Sequence, residues 1–383
     1  MSEVLLLAVN DFPPLVGGEA TLYHGLARHL PRGGALLLAP RAQGAEAIDR
    51  DLPVEVARRW LPAHGGTLRR TARGLVAGVH LAALLWTRPV RYMVCGQLLS
   101  LGAPMRLLAR LRGVPYAVFV HGADLADTCD RPVWGRLVRW IISGADAVIA
   151  NSRFTASLVE HRLPGAARRV VVLPMGVDDP QRADPQRVAF FRARYRLGDG
   201  PILLSVARLV EMKGHDVVIR ALPDLLRRFP DLSYLIVGRG PHRESLERLA
   251  RETGVAQRVI FAGPVETADL PAHYRLATLF VQLSRATGRY DGLEGFGMSF
   301  LEAASHGVVS IAGRSGGVPE AVAEGQSGLL VPPEDSAAFA AAAAALLTDP
   351  QRRARMSGAA RLWAAAHRWE SSTECLTALA AGG

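Results

Sequence analysis

Lysine is almost absent from this chain: arginine supplies every long-chain cation except Lys213. That single compact, rotatable ammonium lies in Ser205-Val206-Ala207-Arg208-Leu209-Val210-Glu211-Met212-Lys213-Gly214. A planar guanidinium fork cannot imitate it equally well. Cysteine is scarce too. Cys95, Cys129 and Cys375 are far apart, odd in number and in no C-x-x-C pair, which argues against a disulfide framework or a zinc site and fits a reducing, cytoplasmic compartment. Aromatic residues make up only 6% and no nucleic-acid motif is present, so a nucleic-acid partner is not expected. Long apolar runs are missing as well. Val4 to Val9 is followed at once by Asp11-Phe12-Pro13-Pro14 and has no basic leader, so it reads as a buried strand rather than a signal peptide. The apolar stretch from Gly74 to Trp86 is too short to cross a bilayer.

What remains is a globular chain of 383 residues, 49% of them apolar, with a formal charge of +10. Its length suits two domains, and its charge suits anionic partners. Continuously apolar runs predict parallel strands covered on both faces. In the first half they are Val4–Val9, Ala35–Ala39, Tyr92–Cys95, Tyr116–Val120, Ala147–Ala150 and Val170–Leu173. In the second they are Ile202–Val206, Leu232–Val237, Val259–Ala262, Leu279–Gln282, Val308–Ala312 and Gly328–Val331. Helical stretches separate them, and the Asp-, Pro- and Arg-rich stretch Asp178 to Gly200 reads as the connection. The expectation is an α/β chain of two doubly wound parallel-sheet domains facing a cleft, with ligands held by loops at the carboxyl edges of the strands.

Several of those loops carry chemistry. Gly17-Gly18 stands just before a helix, where backbone amides can approach an anion. His121-Gly122 ends one strand and can aim an imidazole at a ligand. At Asn151-Ser152 a helix cap is favoured. Arg208 and Lys213 project two cations from one turn, enough to hold a diphosphate and neutralise its charge as it leaves a carbon centre. A magnesium ion often does that work, but the only D-x-D triplet, Asp49-Arg50-Asp51, follows no strand, so a metal-free site is expected. Gly238-Arg239-Gly240-Pro241 is a broken fragment of the dinucleotide fingerprint. Val265 lies in a loop whose backbone could meet a base edge. Glu294-Gly295-Phe296-Gly297-Met298-Ser299-Phe300-Leu301-Glu302 places two carboxylates eight residues apart around a helix start. Its amides suit an anion and its ends suit hydroxyls, which together describe a nucleotide sugar. Gly316-Gly317, beside Arg314, repeats the glycine-loop pattern.

This set, with Leu173-Pro174-Met175-Gly176-Val177-Asp178 and Ser315-Gly316-Gly317-Val318-Pro319-Glu320, resembles the retaining glycosyltransferases of family GT4, which have the two-Rossmann GT-B architecture. The second half looks most like mannosyltransferases acting on phosphatidylinositol mannosides. The resemblance implies an acceptor domain over 1–180, a nucleotide-sugar domain over 181–365, and a final helix over 366–383 that returns to the first. It implies that Arg208 and Lys213 grip the donor diphosphate, Glu302 binds ribose, and Glu294 with the amides of Phe296, Gly297 and Met298 holds the transferred sugar. Gly238 and Val265 would meet the nucleotide, and His121, Gly17 and Gly18 the donor sugar and phosphate. No cofactor is implied beyond the donor itself, with GDP-sugar favoured over UDP-sugar. The acceptor stays open among a lipid-linked glycan, a growing polysaccharide and a small-molecule aglycone, while a nucleotide-sugar 2-epimerase would share the fold. Arginines interleaved with tryptophans between Arg58 and Arg112, and again from Arg131 to Trp140, suit an anionic membrane surface on its inner face. Nothing in the pattern sets an oligomeric state.

Overall fold

A computed structural model describes residues 4–62, 67–126, 128–287 and 292–382. The chain divides into two compact units, one formed by residues 1–176 with 368–383 and the other by 177–367.

The first unit is built on a seven-stranded parallel sheet: β1 (Val4–Ala8), β2 (Ala35–Pro40), β3 (Glu55–Arg59), β4 (Val90–Cys95), β5 (Tyr116–Val120), β6 (Ala147–Ala150) and β7 (Val170–Val172), in the order β3-β2-β1-β4-β5-β6-β7. β3 is the strand that hydrophobic runs do not reveal. Its Glu-Val-Ala-Arg-Arg sequence suits an edge, which needs one apolar side and charges on the other. The helices Thr67–Thr87, Leu98–Arg112 and Pro132–Gly144 share one apolar core with alternate residues of these strands, among them Met93, Tyr116 and Val118. They lie close because glycines face the contacts. A Cβ on Gly78 would come within 3.1 Å of Pro104, and one on Gly102 within 2.8 Å of Ile141. The last helix, Trp369–Ala381, packs against the helix Gly18–His29, where the Trp369 indole fills the space a Cβ on Gly25 would need.

The second unit is a six-stranded parallel sheet of β8 (Ile202–Val206), β9 (Ser233–Val237), β10 (Val259–Gly263), β11 (Leu279–Gln282), β12 (Ser310–Gly313) and β13 (Gly328–Val331), in the order β10-β9-β8-β11-β12-β13. Sequence-predicted strands overlap all six, because each is a mostly apolar run whose few polar members, Ser205, Ser233, Gln282 and Ser310, are themselves buried. The stretch expected to be a plain connection instead contains the helix Pro185–Arg194, which packs on the helix Leu270–Leu276. Its start was signalled by Asp184-Pro185: the Asp184 carboxylate accepts from the Gln186 amide at 2.9 Å and proline occupies the first turn.

Candidate functional site

In the second unit, β8 and β11 are neighbours, and the loops leaving their carboxyl ends meet. After β8 the chain passes Arg208, makes a single 3-10 turn over Glu211–Lys213, and enters the helix His215–Arg228 through Gly214. Gly214 is obligatory: its φ is 68°, and a Cβ there would fall 2.1 Å from the Leu283 carbonyl oxygen. This pins the turn so that the Lys213 ammonium donates to Glu294 Oε2 at 2.5 Å. Both side chains are largely enclosed, at 14% and 12% exposure.

Glu294 is the hub. Its Oε2 also accepts from Ser284 Oγ at 2.9 Å and from Gln282 Nε2 at 3.1 Å. Burial alone would push this carboxyl upward. The Lys213 charge and hydrogen bond, the Ser284 hydroxyl and the Arg208 charge together outweigh it and hold the pKa below the usual value. The three bonds converge on Oε2, and Oε1 takes none among the described residues. Gln282 and Ser284 carry no motif signature. A polar pair fully buried at the end of an apolar strand was the available clue.

Gly295-Phe296-Gly297 leads from Glu294 into the helix Met298–Ser305, with Gly297 at φ 100°. The Gly316-Gly317 loop turns out to support this backbone. The Gly317 amide donates to the Glu294 carbonyl at 2.9 Å, and a Cβ on Gly316 would lie 2.2 Å from that same oxygen. Arg314, expected near phosphates, is ion-paired with Glu324. Gly238 is likewise explained by backbone contact, with φ 142° and the Ala207 carbonyl 2.0 Å from where its Cβ would be. Val265 stands half-buried in the loop after β10. Glu302 is held by the Tyr274 hydroxyl, which donates to it at 2.9 Å. Burial and the Asp178 charge raise its pKa against that bond.

His215, unmarked in the sequence, fixes the Arg208 backbone. Its Nε2 lies 3.2 Å from the Arg208 carbonyl and its Nδ1 2.9 Å from the Tyr234 hydroxyl, which in turn meets Ser205 Oγ at 2.8 Å. Burial first, and the Lys213 charge with it, bring the imidazole down to about 4 despite the Arg208 carbonyl. It is therefore neutral at pH 7, with Nε2–H donating to the carbonyl and Nδ1 accepting from the tyrosine.

In the first unit the carboxyl edge gathers around His121. Its Nε2 lies 2.8 Å from the Tyr23 hydroxyl, 3.2 Å from the Gly96 carbonyl and 3.9 Å from a Glu19 oxygen. The Asp124 carboxylate accepts from the His121 and Gly122 amides, both at 3.0 Å. Burial lowers the imidazole pKa, but Glu19, Asp124 and the Gly96 carbonyl more than reverse this and raise it. Asp124 itself is raised to about 6, mainly by burial and against the pull of His121. Gly17 and Gly18 open the helix Gly18–His29 with no atom within 4 Å of either absent Cβ. Neither internal packing nor a left-handed φ demands glycine at that helix start. Ser152 is a cap, its Oγ accepting from the Thr155 amide at 3.0 Å. Asp49 of the D-x-D triplet is taken up by Arg58 at 2.7 Å.

Residues 188–363 match the family model of glycosyl transferases group 1, and residues 17–176 that of the glycosyl transferase 4-like domain. The GDP-mannose-dependent alpha-(1-6)-phosphatidylinositol monomannoside mannosyltransferase of Mycolicibacterium smegmatis is 36% identical over 366 residues, covering 94% of this chain and 93% of its own. Its namesake from Mycobacterium tuberculosis is 37% identical over 380 residues, covering 97% and 96%. Among solved structures, Anabaena Alr3699/HepE in complex with UDP and glucose superposes with a TM-score of 0.82 at 19% identity over the full length of both chains. The fold is GT-B.

Proposed function

Because the chain belongs to the group 1 glycosyl transferases, we propose that it moves mannose from GDP-mannose to a hydroxyl of a phosphatidylinositol-type lipid, with retention and without a metal ion. The observation that carries this is the Lys213–Glu294 pair at the exits of β8 and β11. An ammonium has three donors. One is committed to Glu294, and the others are available to a diphosphate, with the Arg208 guanidinium on the same loop. As the bond from the sugar's C1 to the diphosphate oxygen breaks, charge accumulates on that oxygen, and the two cations stabilise it in the role a magnesium ion fills elsewhere. Glu294 is ionised and tied to Lys213 through Oε2, and in the proposed pose its Oε1 meets sugar hydroxyls rather than C1. This favours a one-sided substitution over a glycosyl-enzyme: the acceptor oxygen bonds to C1 on the face the diphosphate leaves, and its proton passes to the departing phosphate.

The remaining roles follow the resemblance. Glu294 Oε1 and the amides of Phe296, Gly297 and Met298 receive mannose hydroxyls, Glu302 the ribose, and Val265 and the Gly238 backbone the base side. His121, Gly17 and Gly18 are the first unit's groups for sugar and phosphate. The purified chain, given GDP-mannose and phosphatidylinositol mannoside in a chelator, should release GDP and yield an alkali-resistant α-mannoside. UDP-glucose should serve far less well. Equal GDP release without acceptor, or dependence on added metal, would overturn the reading.

A lipid acceptor calls for contact with a bilayer, and the first unit carries a suitable face. The helices Thr67–Thr87, Leu98–Arg112 and Pro132–Gly144 contain no acidic residue at all. Leu75, Val79, Leu107, Leu111 and Val133 stand exposed on them. Arg112 lies over the Trp86 ring at 4.6 Å and Arg106 over Trp140 at 4.4 Å, so guanidinium and indole pairs tie neighbouring helices together. Among the described residues no helix is long and apolar enough to cross a membrane. Reversing Arg110, Arg131 and Arg136 to glutamate should weaken binding to phosphatidylglycerol-containing vesicles about a hundredfold, at roughly 1 kcal/mol per arginine. Reversing Arg227, Arg248 and Arg355 in the second unit should change little. Co-sedimentation reads the difference, and equal losses would remove this face from consideration.

A further inference from the structure

The last residue of β11 and the three after it, Gln282-Leu283-Ser284-Arg285, match none of the motifs read from the sequence, yet they touch Glu294 and the residues on either side of Lys213. Successive residues work on opposite sides. Gln282 and Ser284 donate to Glu294 Oε2 at 3.1 and 2.9 Å, and Gln282 Nε2 also meets Ser284 Oγ at 2.9 Å. Ser299 closes the set by donating to Gln282 Oε1 at 3.3 Å. On the other side, the Leu283 carbonyl is the surface against which Gly214 is pressed. The Arg285 amide donates to the Met212 carbonyl at 2.8 Å, one residue before the lysine.

The Arg285 side chain completes the contact. It is 12% exposed, with Nη1 2.9 Å from Asp216 Oδ1, Nη2 4.0 Å from Glu211 and Nε 3.9 Å from Glu334. Glu211 and Asp216 bracket Lys213 in sequence, so one guanidinium grips the turn on both sides of the ammonium. Lysine has a flexible four-carbon stem, and its usefulness to a departing diphosphate depends on where the turn holds it. A displacement of 1 Å can cost on the order of a hundredfold in rate.

We propose that Gln282–Arg285 is a registration strip, in which Arg285 and Gln282 act as positioning residues that set the Lys213 ammonium against the Glu294 carboxylate. The catalytic consequence rests on the function proposed above, whereas the positioning itself does not. Lys213 being the only lysine, labelling the full chain with ¹³C,¹⁵N-lysine gives one set of side-chain NMR signals that reports this ammonium directly.

In the unliganded parent, the Cε signals should lie away from those of free lysine. Arg285→Met should move them at least about halfway back, while Arg248→Met, on an exposed helix, should leave them in place. Ser284→Ala, which touches only the Glu294 side, should shift them too. A melting curve for each variant separates a moved turn from an unfolded domain. Kinetically, Arg285→Met should lower kcat about tenfold or more with less than about a threefold change in donor KM, and Arg285→Lys should recover part of it. Combined with Lys213→Ala, Arg285→Met should add no further loss, because its effect passes through the ammonium. Unmoved lysine signals in Arg285→Met, or rate losses that multiply in the double variant, would overturn the strip. A parent that turns over no GDP-mannose would instead defeat the transferase reading and leave the NMR result to decide the positioning.

Discussion

Replacing Lys213 by alanine is expected to lower kcat by about 10²–10³-fold, the size of effect seen when one donor to a developing oxyanion is removed, while donor KM changes by less than about threefold. The asymmetry is the test. In the proposed reading the ground-state diphosphate shares its charge with solvent and with Arg208, so one more cation adds modestly to affinity. As the glycosidic bond opens, charge concentrates on the leaving oxygen, and the enclosed ammonium is worth most there. Lys213→Arg should fall between parent and alanine: it keeps the charge but presents a fork where a rotatable point donor is paired with Glu294 at 2.5 Å. Steady-state kinetics with GDP-mannose decide the matter. A Lys213→Ala enzyme with near-parental turnover would remove the ammonium from the chemistry.

The strands were legible wherever both faces are covered, because burial on both sides selects mostly apolar residues, as in Leu5-Leu6-Leu7 and Leu203-Leu204. β3 was not, since an edge strand with Glu55, Arg58 and Arg59 looks like a loop. At the site, Arg208, Lys213, Glu294 and Glu302 stood out through charge type and spacing. Gln282, Ser284, Arg285 and His215 did not. Their importance comes from partners distant in sequence, as Ser284 to Glu294, 10 positions away, and Arg285 to Asp216, 69 positions away, show, and a linear reading has no access to such pairings. The glycines fall into two kinds. Gly316-Gly317 and Gly238 are glycines because backbone carbonyls crowd them, whereas Gly17-Gly18, the weaker-looking signal, has no such internal cause.

Glu294→Gln is expected to lower kcat by about a hundredfold and, against intuition, to tighten the binding of GDP. Glutamine keeps the shape and can still accept at its carbonyl from Gln282, Ser284 and Lys213, but it no longer neutralises the ammonium. The product nucleotide, which has no sugar, then meets a freer cation and should bind about fivefold more tightly, corresponding to roughly 1 kcal/mol of unshared charge at partly solvated distances. The sugar loses its charged acceptor in the transition state, so catalysis falls. Stability gives an independent check. The folded pKa of Glu294 lies below its ordinary value, so the ionised carboxylate contributes stability that is fully present above the unfolded carboxyl pKa and disappears as pH falls through the folded one. The parent should therefore exceed Glu294→Gln by about 2 kcal/mol at pH 7, the usual worth of hydrogen bonds to a charged group. That gap should narrow as acid titrates the carboxyl, on denaturant curves taken from pH 7 down to pH 3. A gap that stayed constant would mean that the carboxylate is not ionised against Lys213, and weaker GDP binding by Glu294→Gln would mean that the ammonium is not aimed at the diphosphate.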